Sequence, residues 1–171
     1  MRSLAIALTG MTMSLLSFTH SAEAADFRFE DYFRGKTEAT GSFKAINGIS
    51  RKFEVDLTGQ WDGRTLTLRE DFQFDDGTRD RKTWRFTKTS PTTYTGTRED
   101  VVGETKVTLR GNKARFTYLV YLDPAKKANK VRFHDTMTLK PDGTVVNTAL
   151  VTKFGLPVAL TKVEFRRVGK S

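Results

Sequence analysis

The amino-acid sequence predicts an all-β protein, a single antiparallel up-and-down β-barrel of about eight to ten strands. Two features predict it: turn dipeptides divide the chain at near-regular intervals, and the segments between them alternate apolar and polar residues. Asn-Gly and Asp-Gly favour tight type I′ hairpin turns, because both central residues of that turn take positive φ. The dipeptides are Asn47-Gly48, Asp62-Gly63, Asp76-Gly77, Gly111-Asn112 and Asp142-Gly143.

Alternation with a period of two residues gives several segments one apolar face. A long meander with one apolar face removes its exposed strand edges most simply by closing into a barrel. A β-sandwich is the alternative architecture, but its crossovers need longer loops than these. An outer-membrane barrel would turn its apolar face outward, whereas the face with Arg79, Arg81 and Arg85 suits water. The predicted inward rows are Phe53, Val55, Leu57 and Trp61; Leu66, Leu68, Phe72 and Phe74; Phe116, Tyr118, Val120 and Leu122; and Val131, Phe133, Met137 and Leu139.

The first 24 residues have the pattern of a secretory signal peptide. Arg2 supplies the basic start, an apolar stretch runs from Leu4 to Phe18, and Ala22-Glu23-Ala24 forms a small-x-small cleavage site. The apolar stretch is too short and too often interrupted by small polar residues to anchor the chain in a membrane. We therefore expect cleavage between Ala24 and Ala25, export to the periplasm, and one barrel domain over residues 25–171.

Composition excludes several classes of function. The 171 residues include no cysteine, which excludes disulfides, a thiolate nucleophile, a cysteine zinc site and a cysteine-linked lipid anchor. There are two histidines and no glycine-rich phosphate loop, so we expect neither a metal nor a cofactor. We expect no nucleic-acid partner for an exported protein, although the formal net charge is +9.

The surplus positive charge has two possible roles. It could attract an anionic membrane surface or the carboxylate of a fatty acid. Alternatively, it serves solubility and protects strand edges. The basic groups in question are Lys126, Lys127 and Lys130, then Arg166, Arg167 and Lys170, and the outward-facing Arg79, Arg81 and Arg85.

Ionisable side chains interrupt the predicted inward rows at five positions: Glu70, Arg98, Asp100, Asp135 and Lys153. An unpaired charge inside a barrel costs several kcal/mol, so these groups must be paired, hydrated or in contact with a ligand. One explanation is a buried salt-bridge network. The other is a polar floor or mouth of a ligand cavity. A β-bulge would move later residues to the opposite face and remove the question.

Catalysis by these carboxylates is a further hypothesis. Glu70 or Asp135 would then act as the base of an isomerase or cyclase on modified acyl chains. No serine lies in a nucleophile elbow, and His134 alternates with Arg132 and Thr136 on the predicted solvent face. The sequence therefore assigns no catalytic residue. A third hypothesis is a ligand-free structural protein with a filled barrel that interacts with the envelope.

Several short motifs along the chain are distinctive in combination. They include Trp61-Asp62-Gly63, Leu66-Thr67-Leu68-x-Glu70-x-Phe72, Asp75-Asp76-Gly77, Tyr94-x-Gly96, Asp100-Val101-Val102-Gly103, Asp135-x-Met137 and Lys153-Phe154-Gly155. In these motifs the chain resembles, from about Phe27 to Phe165, the lipocalin-like domain-of-unknown-function family 3833 of proteobacteria. The resemblance implies an exported calycin-type barrel with no established activity.

What the resemblance implies about function is a ligand class. Many members look like lipoproteins and are encoded near genes for modifying membrane fatty acids, which implies an acyl or lipid ligand. This chain departs from the family pattern at residues 134–137 and 104–107, and without cysteine it is not expected to be a lipoprotein. We therefore predict a periplasmic lipocalin-like protein that binds a small apolar or fatty-acyl ligand. The predicted binding residues are Glu70, Trp84, Arg98, Asp100, Tyr118, Asp135 and Lys153, with Phe53, Trp61, Phe72 and Phe116 also lining the cavity.

Overall fold

A computed structural model describes residues 26–122 and 128–169 as a closed, all-antiparallel β-barrel of ten strands. Each strand pairs with its neighbours in sequence, and the first strand pairs with the last to close the ring. The predicted all-β, up-and-down, calycin-like architecture is therefore confirmed. The elements are α1 (Phe29–Phe33), β1 (Gly35–Ala45), β2 (Ser50–Trp61), β3 (Thr65–Phe74), β4 (Arg79–Ser90), β5 (Thr93–Thr97), β6 (Thr105–Arg110), β7 (Lys113–Tyr121), β8 (Lys130–Leu139), β9 (Val145–Lys153) and β10 (Leu156–Arg167).

Some sequence predictions concern other parts of the chain. The signal peptide with its cleavage site, and the basic residues Lys126, Lys127 and Lys170, lie outside the described residues. Across the two described ranges, no helix combines the length and the hydropathy needed to cross a lipid bilayer.

The hairpin turns fall at the predicted dipeptides, but their type differs from the prediction. Gly48, Gly63, Gly77 and Gly143 have positive φ, whereas the Asn or Asp before each of them does not. The side chain of that residue instead accepts a backbone hydrogen bond, as when Asp62 Oδ1 accepts from the N–H of Arg64 at 2.9 Å. These loops are therefore Asx turns with a left-handed glycine as the central residue, rather than type I′ turns.

The β9–β10 hairpin does have the type I′ pattern. Its two loop residues, Phe154 and Gly155, both have positive φ, of 51° and 81°. Among the described residues, Phe154 is the one non-glycine with positive φ. A left-handed backbone is unusual for a bulky side chain.

Helix α1 closes one end of the barrel. Phe27, Phe29 and Phe33 are buried there, and the N–H of Phe27 donates to the carbonyl of Gly111 at the β6–β7 turn. Gly59 in β2 makes the fit possible, because a Cβ at this position would lie 1.8 Å from the carbonyl oxygen of Phe33. The sequence analysis did not predict this helix, since five residues are too few to show a 3.6-residue period.

The inward rows follow the predicted alternation over most of their length. Leu57, Leu66 and Leu68 are almost fully buried. One predicted inward residue is wrong: Leu122 lies beyond the end of β7 and is 55% exposed at the end of the barrel opposite α1. We call that end the open end; the β1–β2, β3–β4, β5–β6, β7–β8 and β9–β10 connections lie there.

Candidate ligand-binding cavity

The barrel encloses a cavity of about 390 Å³ with predominantly aromatic walls. It extends from Phe29 and Phe33 at the α1 end to Phe43 and Phe74 near the open end. The phenylalanines at the α1 end are buried, whereas Phe43 and Phe74 are partly accessible. The aromatic lining residues are Phe29, Phe33, Phe43, Phe53, Phe72, Phe74, Trp84, Phe86, Phe116, Tyr118, Phe133 and Phe165.

A buried guanidinium organises the polar part of the wall. Arg98, just after β5, binds Asp100 through Nε to Oδ1 at 2.6 Å and through Nη2 to Oδ2 at 3.2 Å. Its Nη1 lies 3.8 Å from Glu70 Oε2 on β3. The same guanidinium lies 4.8 Å from the ring centre of Trp84 and 5.7 Å from that of Tyr118. Charge pairing and cation–π contact together hold this cation inside the barrel.

Lys82 on β4 extends the charged group towards the open end. Its Nζ lies 3.3 Å from Asp100 Oδ2 and 3.2 Å from Asp80 Oδ2. Asp100 is thereby bonded to two basic side chains, and it serves mainly to orient Arg98. Lys82 and Asp80 line the cavity, but the sequence analysis did not select them.

A second polar group lies on β8 and β9. The amide of Asn147 donates a hydrogen bond to Asp135 Oδ1, and both residues line the cavity. The carboxyl of Asp135 is therefore hydrogen-bonded to a neutral amide rather than to a basic side chain. Asn147 shares a face of β9 with Lys153 by alternation, but it is not among the predicted binding residues.

Burial changes the acidity of two carboxyls in the cavity wall, Glu70 and Asp135. It raises the pKa of Glu70 from 4.5 to about 7, although the positive charge of Arg98 opposes this. It raises the pKa of Asp135 from 3.8 to about 6, against the lowering effects of Asn147, Tyr118 and Arg98. Both groups can therefore carry a proton near neutral pH.

Four polar atoms in the cavity wall have no hydrogen-bond partner: Glu70 Oε2, Asp135 Oδ2, Asn147 Oδ1 and Thr161 Oγ1. Buried polar groups in native proteins are nearly always hydrogen-bonded. Of the five such buried atoms in the described part of the chain, four belong to cavity-lining residues; the other is Thr37 Oγ1. The wall thus has free hydrogen-bonding capacity on its inner side.

The structure brings most of the predicted binding residues together. The cavity is lined by Glu70, Trp84, Arg98, Tyr118 and Asp135. Asp100 does not line it but bonds to the lining residues Arg98 and Lys82. Phe53, Phe72 and Phe116, predicted to line the cavity, do so as well.

Lys153 and Trp61 are not among the cavity-lining residues. Lys153 ends β9, and its Nζ donates to Asn129 Oδ1 at 2.8 Å, outside the cavity. Alternation put Lys153 on the inward face correctly, but the strand ends before that face is enclosed. His134 is exposed, as predicted, between Thr117 and Thr152.

A separate polar cluster fastens the closed end. Glu30 of α1 accepts hydrogen bonds from Lys88 and from the hydroxyl of the fully buried Tyr94. Burial alone would raise the pKa of Glu30, but its bonds to Lys88 and Tyr94 hold that pKa below the ordinary value. This cluster ties α1 to β4 and β5. Within the described ranges, no group of three or more His, Asp or Glu side chains could hold a metal ion.

A closed ten-stranded antiparallel barrel with an internal cavity defines a calycin-like β-barrel protein. The chain belongs to the family DUF3833, described as proteins of unknown function, whose family model matches residues 5–167. The predicted family resemblance is therefore confirmed. No curated protein matches the chain in sequence.

Solved structures with the same fold are distant in sequence. The S-type phycobiliprotein lyase CPES from Guillardia theta has a TM-score of 0.60 at 9% identity, covering 84% of this chain and 92% of that one. Rv2717c from M. tuberculosis has a TM-score of 0.58 at 12% identity, covering 80% and 93%. A DUF3598 protein from Nostoc punctiforme has a TM-score of 0.60 at 15% identity, covering 90% of this chain and 53% of that one. These likenesses show the fold.

Proposed function

We propose that the protein binds an amphiphilic ligand, a fatty-acyl chain or other lipid, inside the barrel. The observation that carries this proposal is the pairing of an aromatic cavity with the unpartnered polar atoms of Glu70, Asp135, Asn147 and Thr161. The apolar part of the ligand would lie on the aromatic walls, and a polar group would supply the missing hydrogen bonds. A barrel filled for stability alone would leave neither the space nor the unpaired atoms.

The size of the cavity supports a small ligand. Its volume of about 390 Å³ lies within the ordinary range of ligand pockets, roughly 300 to 1,000 Å³. Phe43, Phe53 and Phe74 continue the apolar surface towards the open end, where a longer chain could extend. The end closed by α1 offers no such exit, because Phe29 and Phe33 are buried across it.

The acidity of the wall favours a neutral polar group on the ligand. A protonated Glu70 or Asp135 both donates and accepts a hydrogen bond, which suits a hydroxyl, ester or amide. A free carboxylate at this depth would face these two acids, while Arg98 is already paired with Asp100. We therefore propose an acyl compound with an uncharged polar group, in a protein exported to the periplasm by residues 1–24.

Native mass spectrometry and lipid extraction of the purified protein test this proposal. We expect a co-purifying lipid and saturable binding of a fluorescent acyl ester. Ala149→Trp should abolish binding by filling the cavity, and Leu150→Trp on the outer face should not.

Asn147→Leu is a milder change of the wall, and Thr148→Leu is its outward-facing control. We expect Asn147→Leu to weaken the acyl ester by roughly fivefold to tenfold, because one hydrogen bond to a neutral group is lost. A folded protein without lipid that binds no acyl probe would overturn the proposal.

A second candidate function is catalysis. The specific observation in its favour is a carboxyl, Glu70, with a pKa raised by burial to about 7 in a cavity, as expected of a general base. In that case the protein would convert a bound oxidised acyl chain into an isomer or a cyclised product, which liquid chromatography separates from the starting chain. Glu70→Gln would stop that conversion while the chain remained bound. An acyl chain recovered with unchanged chromatographic retention from the wild-type protein would leave binding as the function.

A further inference from the structure

Large apolar side chains are exposed on two hairpins at the open end. Ile46 and Ile49 flank the β1–β2 turn, with 78% and 54% of their surface exposed. Phe154 lies in the β9–β10 turn and Leu156 begins β10, and these side chains are 91% and 69% exposed. Single exposed apolar residues are common on protein surfaces, but a contiguous group marks an interaction site.

The two hairpins form one surface. Strand β1 pairs with β10, and the backbone N–H of Ile46 donates to the carbonyl of Val158 at 3.0 Å. In the same register, Lys44 pairs with Leu160, whose side chain is 62% exposed on the outer face. We call this surface the rim patch; it consists of Ile46, Ile49, Phe154, Leu156 and Leu160.

The fold itself does not require an aromatic residue at position 154. A two-residue turn with two positive φ values favours asparagine before glycine. Phe154 instead takes this position with φ of 51°, a strained backbone conformation for a residue other than glycine, and buries almost none of its ring. Neither turn formation nor core packing explains the residue, whereas contact with an apolar phase outside the protein does.

The two hairpins that carry the rim patch have positive charges only. Residues 44–52 and 150–162 contain Lys44, Arg51, Lys52, Lys153 and Lys162, and neither segment contains an Asp or Glu. Arg51 pairs with Asp76 of the β3–β4 turn at 2.8 Å, so the four lysines supply the surplus charge of this surface. Exposed apolar tips flanked by lysine and arginine are the combination that binds the interface of an anionic bilayer. Basic flanks of this kind complement phospholipid headgroups with negative charge.

We propose that the rim patch docks the open end of the barrel on an anionic lipid bilayer. Phe154 and the neighbouring apolar side chains would enter the headgroup region, and the lysines would contact the phosphates. The open end would then face the membrane, with Phe43 and Phe53 of the cavity wall directly behind the docking hairpin. This inference goes beyond ligand binding, since it concerns the outer surface and is measured separately.

Vesicle flotation tests the proposal with full-length protein. We expect binding to phosphatidylcholine vesicles that contain phosphatidylglycerol, and much weaker binding to phosphatidylcholine alone. Phe154→Asn should weaken binding by on the order of tenfold and should leave the fold intact, because asparagine suits the turn. Val168→Ser, an exposed apolar position beyond β10 at the opposite end, is the control and should bind normally.

A charge-matched pair of double variants tests the basic part of the surface. Lys44→Gln with Lys162→Gln should lower affinity for anionic vesicles by on the order of tenfold. Lys36→Gln with Lys113→Gln changes the net charge equally at the closed end and should not.

Three results would overturn the proposal. One is the absence of vesicle binding by the wild-type protein, and another is equal binding by all four variants. The third is a Phe154→Asn variant that turns a dimer into a monomer without changing vesicle binding. That result would make the rim patch a contact between two copies of the chain.

Discussion

Arg98 shows how one residue sets the charge balance of the cavity wall. It binds Asp100 through two nitrogens and lies near Glu70, while Trp84 and Tyr118 cover it. Removing one partner of a buried charge group leaves the others desolvated and unpaired. The carboxylates of Asp100 and Glu70 therefore depend on this guanidinium.

We predict that Arg98→Met destabilises the protein by about 3 to 5 kcal/mol, measured by urea unfolding. Arg81→Met is the matched control, since Arg81 pairs with Asp71 at 2.5 Å but is largely exposed. An exposed pair contributes less than about 1 kcal/mol. Equal losses of unfolding free energy in the two variants would contradict a larger contribution from the buried Arg98 than from the exposed Arg81.

The stability of the protein should depend on pH through Glu70. The unfolded chain loses the Glu70 proton near pH 4.5, whereas burial keeps the folded pKa at about 7. Across this window the folded state binds more protons, so the free energy of unfolding should fall as pH rises from about 4.5 to 7. Asp135, with its pKa raised from 3.8 to about 6, acts in the same direction.

Glu70→Gln should flatten this pH dependence, because glutamine has no proton to lose. Unfolding midpoints of both proteins, measured across the window, provide the test. The pKa of Glu30 is lowered, so this residue changes the free energy of unfolding only below about pH 4.5, outside the pH window of Glu70. A wild-type stability that rises with pH in this range would contradict the assigned burial of Glu70.

At the scale of elements, α1 depends on the absence of a side chain in β2. The carbonyl of Phe33 occupies the space above Gly59, and Tyr32 Oη donates to the carbonyl of Phe165 at 2.9 Å. The helix has five residues and no side-chain cap, so tertiary contacts must hold it.

We predict that Gly59→Ala displaces α1 and destabilises the protein by about 1 to 3 kcal/mol, the usual range for an overpacked site. Gln60→Ala, the exposed neighbour on the same strand, should change stability by less than about 0.5 kcal/mol. Thermal unfolding measures both. A Gly59→Ala protein as stable as the Gln60→Ala protein would contradict the close contact.

The sequence predicts the strands better than it predicts the contacts between them. Alternation places Glu70 and Asp135 inward because β3 and β8 run without a bulge around them. The same alternation places Lys82 on the inward face of β4, which it shares with Trp84. Lys153 shows the limit of alternation, since a face is only enclosed where neighbouring strands continue past it.

Other features depend on the assembled barrel. The bond between Asn147 and Asp135 requires the register of β8 against β9, which the turn dipeptide alone does not set. Helix α1 is held by the close contact of Phe33 with Gly59 and by the bond between Glu30 and Lys88. Gly59 and Lys88 lie far from the helix in sequence. Phe154 occupies a left-handed turn position that usually holds asparagine. Turn preferences therefore do not predict an exposed phenylalanine there.

At the scale of the whole molecule, the ring of strands is not uniform. Strands β5 and β6 have five and six residues, and β6 pairs with β7 from Thr108 to Arg110. Beyond that, Thr105 Oγ1 donates to the carbonyl of Thr117 at 2.9 Å, and Val101 forms an isolated bridge with Val120. The regular ladder between β6 and β7 is therefore short, and single bonds from the chain at and before Thr105 continue the contact with β7.

We predict that backbone amides of β5 and β6 exchange with deuterium faster than those of β1, β2 and β10. Short strands with few ladder bonds open at a lower free energy than long ones. Native-state hydrogen exchange with mass spectrometry measures this directly. Thr105→Val should accelerate exchange in β6 further, whereas the neighbouring Lys106→Ala should have little effect because Lys106 is exposed.

The seam between β1 and β10 has a consequence for the order of folding. The other strand pairs join hairpin neighbours, but this seam joins partners such as Thr37 and Arg167, which lie more than a hundred positions apart. Pairing over such a distance is entropically slow, so the local hairpins should form first and the ring should close last. Until it closes, β1 and β10 are bare edges that invite pairing with other chains. A nascent chain is therefore most vulnerable to aggregation in the interval before its last strand arrives.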